Sequence, residues 1–282
     1  MTNPVFRKED VLIEALPYIQ QFENKTFVIK YGGAVMEDEK LKSSIAQDVT
    51  LLRKIGIDVV IVHGGGKEIT LLSSKLNIET KFVNGQRYTD EATRDVVQMV
   101  LAGSINKDIV RQINIHGGRA VGFSGIDAGF ITVKKYDKED LGLVGEVIDV
   151  STSFVKNLLR ERYLPVIAPI GVDEKGTVYN VNADIAAGSI AGALGAAKLV
   201  YITDTEGVKS KDGLIPHLTE EDAEKFISDG TISGGMIPKV ESALAALEAG
   251  VQKVHIIDGR IEHALLLEIF TKEGIGTEIV PE

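Results

Sequence analysis

The sequence predicts an α/β protein, a three-layer αβα sandwich around a mainly parallel central sheet, with an extra N-terminal helix. Short β-branched runs alternate with helical patterns from residue 26 onward, and each run has too few polar residues to face water. A strand, a helix and a second strand make the crossover unit of a parallel sheet. The 282 residues, 44% hydrophobic and 26% charged, suffice for one large domain or two closely packed lobes.

The N-terminal segment, residues 1–25, is expected to form the extra helix. Pro17 lies inside it and is expected to kink it. An apolar stripe at helical spacing needs a surface to bury against, so the helix either packs on its own domain or contacts another subunit. The stripe consists of Val11, Leu12, Ala15, Leu16, Ile19 and Phe22.

The sheet elements follow in order. A helix between the first two strands ends at Gly56, where a glycine favours termination. Three later helices are predicted at Asn182 to Leu194, Pro238 to Ala249 and Ile261 to Phe270. The predicted buried strands are Thr26 to Tyr31, Ile57 to His63, Tyr163 to Pro169, Lys198 to Thr203 and Lys253 to Asp258.

The stretch from Phe82 to Val150 breaks this regularity. It carries glycine-rich turns and two short polar strands, Phe130 to Lys135 and Leu143 to Val147. It is interpreted as a lid-like hairpin region with connecting helices. No linker composition separates two independent domains, although the pattern indicates a lobe boundary near Ser151.

Composition and missing motifs exclude several classes of function. The chain has no Cys, which rules out disulfides and a cysteine nucleophile and suits a cytoplasmic location. A net charge of −10 argues against a nucleic-acid-binding surface. The start MTNPVFRKED is not a signal peptide, and no apolar run is long enough to span a membrane. A P-loop, a protein-kinase catalytic loop and a serine-hydrolase elbow around Ser124 are missing.

Three glycine clusters lie at strand ends or helix starts. Without side chains, backbone N–H groups approach an anion closely, and a helix N-terminus adds unpaired donors. The sites after Gly33 and Gly66 are therefore expected to hold phosphate or carboxylate, although any one cluster could be a plain tight turn. The clusters are Tyr31-Gly32-Gly33, His63-Gly64-Gly65-Gly66 and Ser233-Gly234-Gly235-Met236.

Charged residues accompany these clusters. Lys30 ends a buried run and Lys239 begins a helix, positions where a lysine needs an anion unless its ammonium reaches water. Asp184 falls in the first turn of a helix that Asn182 caps, and its carboxylate could hold both lysines. Arg87 follows the Asn84-Gly85 turn, and its guanidinium either binds a carboxylate or lies exposed on the surface.

In combination, these motifs resemble the amino acid kinase family from about residue 11 to the end. The resemblance rests on Val28-Ile29-Lys30-Tyr31-Gly32-Gly33, Val62-His63-Gly64-Gly65-Gly66, Asn84-Gly85-Gln86-Arg87, Asn180-Val181-Asn182-Ala183-Asp184 and Gly234-Gly235-Met236-Ile237-Pro238-Lys239. It implies the amino acid kinase fold, with an N-lobe at 26–175 for the amino-acid substrate and a C-lobe at 176–282 for ATP. The implied reaction is ATP-dependent phosphorylation of the side-chain carboxylate of N-acetyl-L-glutamate, the second step of arginine biosynthesis.

The resemblance also assigns roles to residues. Catalysis would rest on Lys30, Lys239 and Asp184. Mg²⁺ would bind mainly through the nucleotide phosphates, with no metal site of the protein's own. The phosphate-binding glycines would be Gly32, Gly33 and Gly65; the amino acid would be held by Gly65, Gly66, Arg87 and Asn180; and the nucleotide would contact Thr203, Asp204, Gly207, Val208, Gly235 and Met236.

Other features resemble the arginine-inhibited, hexameric branch of the family. In that branch the N-terminal helix links dimers into a ring, and L-arginine is an inhibitor bound near the C-lobe. The resemblance also allows a PII-type signal protein as a further partner. The residues carrying this part of the resemblance are Tyr18, Lys198, Glu268 and Gly274.

Two alternatives remain open. One is another acid or phosphate kinase of the same fold, such as an aminoadipate-type or carrier-linked relative. The other is a non-catalytic amino-acid sensor, which would have lost a phosphoryl-site lysine. Lys30, Asp184 and Lys239 are all present, which counts against the sensor.

Overall fold

The computed structural model describes residues 8–211, 213–271 and 273–281, and for residues 8–12 and 34 it describes the backbone only. Residues 1–7 of the predicted N-terminal segment, and the side chains of Val11 and Leu12 on its apolar stripe, therefore lie outside the described part. The predicted helix forms as α1, and it runs through Pro17.

The described residues form the following elements. The helices are α1 Lys8–Phe22, α2 Glu39–Lys54, α3 Gly66–Lys75, α4 Glu91–Gln98, α5 Asn106–Ile115, α6 Ser153–Arg160, α7 Ala183–Leu194, α8 Glu220–Ser228, α9 Ile237–Glu248 and α10 Ala264–Phe270. The strands are β1 Thr26–Tyr31, β2 Asp58–His63, β3 Phe82–Val83, β4 Gln86–Arg87, β5 Ala120–Ser124, β6 Ile131–Lys135, β7 Gly145–Val150, β8 Leu164–Ala168, β9 Ile170–Val172, β10 Val178–Asn180, β11 Lys198–Thr203, β12 Lys209–Ser210, β13 Gly213–Leu214, β14 His217–Thr219, β15 Val254–Asp258 and β16 Thr277–Val280.

Eight strands make the central sheet, in the order β14-β16-β15-β11-β1-β2-β8-β5. Every neighbouring pair is parallel except β15 and β16. The central strands are almost wholly buried, and separate apolar clusters pack on the two faces of the sheet. This confirms the predicted three-layer α/β class, in which continuous apolar strands are covered by helices on both sides.

Both halves of the chain share this sheet. β1, from the first half, lies between β2 and β11. The predicted lobe boundary at 175/176 falls in the turn of the antiparallel β9–β10 hairpin. The carboxyl ends of β1, β2 and β11 consequently meet at one edge of the sheet, where ligands of open α/β sheets bind.

The stretch from Phe82 to Val150 holds more regular structure than the pattern indicated. β5 is an edge strand of the central sheet that the sequence interpretation missed, because glycine and serine dilute its apolar run. The two predicted polar strands form as β6 and β7, an antiparallel pair in a second sheet of order β10-β9-β6-β7. A π-helical segment, Met99–Ile105, joins α4 to α5 without a break.

Two local expectations were wrong. The first concerns the donors expected from a helix N-terminus directly after Gly33: this cluster lies at the carboxyl end of β1, as one of the two predicted positions, but a short 3₁₀ turn follows it, and α2 starts only after Asp38, whose side chain accepts hydrogen bonds from the first helical N–H groups. The last helix begins at Ala264 and not at Ile261, after His263 in the left-handed conformation. No helix in the described ranges is long and apolar enough to cross a membrane.

Candidate active site

Lys30 lies at the carboxyl end of β1, and its side chain is buried. The next residue but one, Gly32, leaves room for it: a Cβ atom at Gly32 would lie only 2.9 Å from Lys30 Nζ. Gly33 follows with a φ of +73°, a conformation that favours glycine. The first glycine cluster therefore gives space to the ammonium group and turns the chain.

Asp184 joins the two predicted lysines. Its Oδ1 lies 2.9 Å from Lys30 Nζ, and its Oδ2 accepts a hydrogen bond from Lys239 Nζ at 3.3 Å. Burial raises the pKa of Asp184, but the charges of Lys30 and Lys239 outweigh it and hold the pKa below its ordinary value. The carboxylate is thus ionised at neutral pH and forms ion pairs with both ammonium groups.

The first turn of α7 positions Asp184. The side chain of Asn182 accepts hydrogen bonds from the backbone N–H groups of Asp184, at 2.8 Å, and Ile185, at 3.2 Å. The predicted N-cap is confirmed. Lys239 likewise lies in the first turn of α9, where Pro238 occupies an early position suited to proline.

The second glycine cluster begins α3, with Gly65 as the N-cap. A Cβ atom at Gly65 would overlap the side chain of Ile105 and lie 2.6 Å from Cδ2 of Leu101, both on the π-helical segment. Gly64 donates its N–H to the carbonyl of Tyr31 at 2.9 Å, which ties this loop to the end of β1. The loop backbone therefore lies in close contact with its neighbours.

Arg87 is buried, which excludes the surface-arginine alternative. Asn84 and Gly85 both adopt positive φ in the β3–β4 hairpin turn. From there Arg87 Nη2 donates to the carbonyl of Gly66 at 2.7 Å and to Thr70 Oγ1 at 2.8 Å. Its Nη1 is buried with no hydrogen-bond partner among the described residues, and burial lowers the pKa of the guanidinium. Since Arg87 Cζ also lies over the Phe82 ring, 4.8 Å from its centroid, Nη1 is the nitrogen that could bind an anion.

All four residues predicted to hold the amino acid line one cavity of about 240 Å³. Gly65 and Gly66 come from the α3 loop, Arg87 from the hairpin and Asn180 from the end of β10. Asn180 Nδ2 donates to Thr89 Oγ1 at 3.3 Å, which orients the amide. Ala183, which directly precedes Asp184, also lines this cavity.

A second cavity, of about 340 Å³, lies at the end of β11. Of the six predicted nucleotide residues, its walls include Asp204, Gly207, Val208 and Met236. Thr203 is buried and is not part of this wall, and its hydroxyl accepts from the N–H of Thr205 at 3.0 Å. Gly235 is not part of the wall either.

Sequence reasoning missed Arg260 in the wall of this second cavity. Its guanidinium donates to both carboxylate oxygens of Asp258, at 2.9 and 2.8 Å. The available signal was the charged residue directly after Gly259 at the end of a buried strand. Among the described residues, no group of three or more His, Asp or Glu side chains is arranged to hold a metal ion.

The four residues predicted to bind an inhibitor line a third cavity, of about 440 Å³, between α1 and the C-terminal half. Tyr18 packs edge-on against Phe270 at 6.4 Å. Lys198 Nζ lies 2.7 Å from His255 Nε2, and burial lowers the pKa of Lys198 to about 8. Glu268 accepts from the N–H of Ile275 at 2.7 Å.

Gly274 lies against this acid, because a Cβ there would approach Glu268 Oε2 to 2.8 Å. The structure thus brings together the four residues Tyr18, Lys198, Glu268 and Gly274, which lie far apart in sequence.

Curated relatives match almost the whole chain. It is 58% identical to the acetylglutamate kinase of Chlorobaculum parvum over 273 residues, covering 96% of this chain and 91% of that protein. It is 54% identical to the acetylglutamate kinase of Aquifex aeolicus over 297 residues, covering 99% of this chain and 100% of that protein.

The fold matches solved structures as well. The N-acetylglutamate synthase of Neisseria gonorrhoeae, solved with coenzyme A and N-acetyl-glutamate, superimposes with a TM-score of 0.88 at 28% identity. The match covers 98% of this chain but 64% of the synthase, so this chain spans less than two thirds of it. The same synthase solved with coenzyme A and L-arginine gives a TM-score of 0.84 at 27% identity, covering 98% and 66%.

The sequence profile of the Amino acid kinase family matches residues 25–258. That range contains Lys30, Arg87, Asp184 and Lys239, the charged residues of the candidate site. A match over most of the chain, together with relatives above half identity over nearly their full length, establishes the family. The chain belongs to the amino acid kinase family.

Proposed function

We propose that this protein transfers the terminal phosphoryl group of ATP to the side-chain carboxylate of N-acetyl-L-glutamate, giving N-acetyl-L-glutamyl 5-phosphate for arginine biosynthesis. The observation that carries the proposal is the Lys30–Asp184–Lys239 cluster. Asp184 follows directly on Ala183 in the wall of the first cavity, and Lys239 follows three residues after Met236 in the wall of the second. The cluster thus lies close along the chain to a wall residue of each cavity, and we assign the first cavity to the acceptor and the second to the nucleotide.

The chemistry suits this arrangement. An ionised carboxylate is already a nucleophile, so the reaction needs no general base. The difficulty is to bring two anions together and to stabilise charge on the transferring phosphoryl group. Lys30 and Lys239 supply that positive charge, while Asp184 holds both ammonium groups in place before substrate arrives.

Arg87 supports an anionic acceptor. Its Nη2 is fixed by Gly66 and Thr70, and its Nη1 remains for a carboxylate. N-Acetyl-L-glutamate has an α-carboxylate for Arg87 and a side-chain carboxylate for phosphorylation. The N-acetyl group removes the amine charge, and Asn180, which lines the same cavity, would hydrogen-bond with the amide that results.

The second cavity supports ATP as the donor. Glycine backbone and the side chain of Met236 give it mixed polar and apolar walls, as a nucleotide requires. Mg²⁺ would bind through the nucleotide phosphates, where it neutralises their charge. The residues that line the second cavity would then position the nucleotide.

Feedback inhibition by L-arginine and a hexamer formed through α1 are part of the same proposal. The third cavity joins α1 to the C-terminal half, so a ligand there would contact both. Ile13 and Leu16 lie one helical turn apart on α1 and are exposed, 68% and 45%, as expected of a face that another subunit covers. The arginine complex of the Neisseria gonorrhoeae synthase supports the ligand class.

The experiment is ATP-dependent ADP release with N-acetyl-L-glutamate, beside L-glutamate, L-aspartate and uridylate, each with and without L-arginine. Turnover confined to N-acetyl-L-glutamate and suppressed by arginine is expected. Turnover without suppression would leave the reaction and remove the regulatory proposal. Turnover on another acceptor would assign a different kinase of the family, and no turnover on any acceptor would favour an amino-acid sensor.

A further inference from the structure

His63 ends β2 directly before the glycine loop and is completely buried. Its ring nitrogens have separate neighbours: Nδ1 lies 2.9 Å from the carbonyl oxygen of Gly64, and Nε2 lies 3.2 Å from Nδ2 of Asn106. A buried imidazole contacted on both sides has a defined tautomer. None of the roles assigned above uses this ring.

Asn106 decides which tautomer is present. Its Nδ2 donates to the carbonyl of Val166 at 2.9 Å, while its Oδ1 accepts from Lys107 Nζ at 3.0 Å. Since the amide nitrogen is the donor, it also donates to His63 Nε2, which must then be unprotonated. The proton of the ring is on Nδ1, and it is donated to the carbonyl of Gly64. Burial lowers the pKa of His63 to about 4, so the ring is neutral at physiological pH.

A glycine on a neighbouring strand leaves room for this network. A Cβ atom at Gly122, on β5, would overlap Oδ1 of Asn106. The π-helical segment that ends just before Asn106 also supplies Leu101 and Ile105, which contact Gly65. One element therefore packs against the glycine loop and also supplies the partner of His63, and π-helical segments are frequent at functional sites.

The peptide bond between Gly64 and Gly65 links His63 to the acceptor cavity. The peptide bonds are trans, so the N–H of Gly65 points away from the carbonyl of Gly64 within the same plane. With that carbonyl bound to His63, the N–H of Gly65 is directed to the opposite side, and Gly65 lines the acceptor cavity. The preceding peptide, between His63 and Gly64, is held separately, because the N–H of Gly64 donates to the carbonyl of Tyr31.

We propose that His63 is a positioning residue for phosphoryl transfer, because its Nδ1–H binds the carbonyl of Gly64 and thereby aims the N–H of Gly65 at the phosphoryl oxygens. Asn106 sets the tautomer that makes this possible. The inference rests on the proposed function, in which Gly65 contributes a backbone donor to the anion. A donor aligned in advance stabilises charge that develops in the transition state more than charge in the ground state.

The test compares His63→Asn with His63→Leu. Both variants are neutral and of similar size, and both remove the acceptor that Asn106 uses. An asparagine amide keeps a donor near the former Nδ1 position, whereas leucine does not. We expect kcat of His63→Leu to fall about tenfold or more below that of His63→Asn, because an oxyanion-type donor is misaligned. KM for N-acetyl-L-glutamate and the free energy of unfolding should be similar in the two variants.

Equal kcat values in these two variants, with both folded, would overturn the inference. A second arm needs no activity: ¹⁵N NMR of the histidine ring in the wild-type chain. Protonated Nδ1 and unprotonated Nε2 are expected at neutral pH, and the reverse tautomer would overturn the inference. Wild-type chain that fails to phosphorylate N-acetyl-L-glutamate would instead overturn the proposed function, which keeps the two failures distinguishable.

Discussion

Gly32 and Lys30 share one small space at the end of β1: a Cβ atom at Gly32 would lie 2.9 Å from Nζ of Lys30. The obstacle is the end of a flexible side chain and not backbone, so Gly32→Ala should fold. The methyl group would move the ammonium away from Asp184. We expect kcat to fall about tenfold, as for a weakened electrostatic contact in the transition state, with the free energy of unfolding changed by less than about 1 kcal/mol.

Steady-state kinetics and urea unfolding measure the two quantities. Gly103→Ala is the matched control, because a Cβ there meets no atom within 4 Å. Unchanged kcat in Gly32→Ala would mean that the reaction does not depend on where the ammonium group of Lys30 lies.

Arg87→Lys should raise KM for N-acetyl-L-glutamate about 100-fold with a smaller change in kcat. The guanidinium uses Nη2 to anchor itself on Gly66 and Thr70 and leaves Nη1 for the carboxylate, whereas a single ammonium does not span both sites. The magnitude is that of one charge-assisted hydrogen bond, about 1.5–3 kcal/mol.

Arg94→Lys is the control for this change, since Arg94 pairs with the neighbouring Asp95 at the surface. A KM for Arg87→Lys close to the wild-type value would exclude Arg87 from substrate binding.

Asp184→Asn should reduce kcat about 100-fold or more. The carboxylate lies between two ammonium groups, and its removal leaves Lys30 and Lys239 to repel one another inside the site. Because these three residues act together, the double variant Asp184→Asn with Lys239→Ala should lose less than the product of the two single effects.

Pre-steady-state and steady-state assays of the two single variants and the double variant test this coupling. Lys75→Ala, at the exposed end of α3, is the control for Lys239→Ala, because both remove one positive charge. Strictly multiplicative losses would show that the lysine and the carboxylate act independently.

Protein stability should respond to Asp48, on α2. This carboxylate is fully buried, its Oδ1 lies 2.6 Å from Nδ1 of His263, and its Oδ2 has no partner among the described residues. Burial raises the pKa of Asp48 to about 6, because His263 offsets only a part of the rise that burial causes. Between pH 6 and pH 4 the folded chain therefore binds a proton that the unfolded chain does not.

Lowering the pH from 7 to 4 should increase the stability of the wild type relative to Asp48→Asn, which lacks the titrating group. Urea unfolding of both proteins across this range measures the difference. A difference that stays constant with pH would show that the pKa of Asp48 is not raised in the folded chain.

The exposed face of α1 should control assembly. Ile13→Asp combined with Leu16→Asp places charge on two exposed apolar positions, while Phe22 remains packed on Phe27 at 5.2 Å. The fold should therefore persist, and the apparent mass should fall from that of a hexamer to that of a dimer. Gln20→Asp, exposed on the same helix, is the control.

Light scattering after size exclusion measures this mass. Identical masses for the wild type and the double variant would remove α1 from assembly. Loss of arginine inhibition in the double variant, with activity retained, would connect assembly with regulation.

The sequence by itself determined what depends on local chemistry. Asn182 caps α7 because its short side chain reaches the next backbone N–H groups, and Asn84-Gly85 turns the β3–β4 hairpin because both residues accept positive φ. Apolar runs identified the central strands, and the glycine clusters with Lys30, Asp184 and Lys239 pointed to an anion site. Each of these signals comes from a residue and its near neighbours in sequence, and it needs no tertiary contact to be interpreted.

Only the tertiary structure decided what depends on distant segments. Asp184 meets Lys30 and Lys239 because α7 packs against both β1 and α9. Asn106 reaches His63 because a π-helical segment packs on the glycine loop. Sequence distance carries no information about such contacts, and a buried asparagine has no local pattern of its own. The charged residues of a site can therefore be identified from the sequence, whereas the directions of its hydrogen-bond donors depend on how the elements pack.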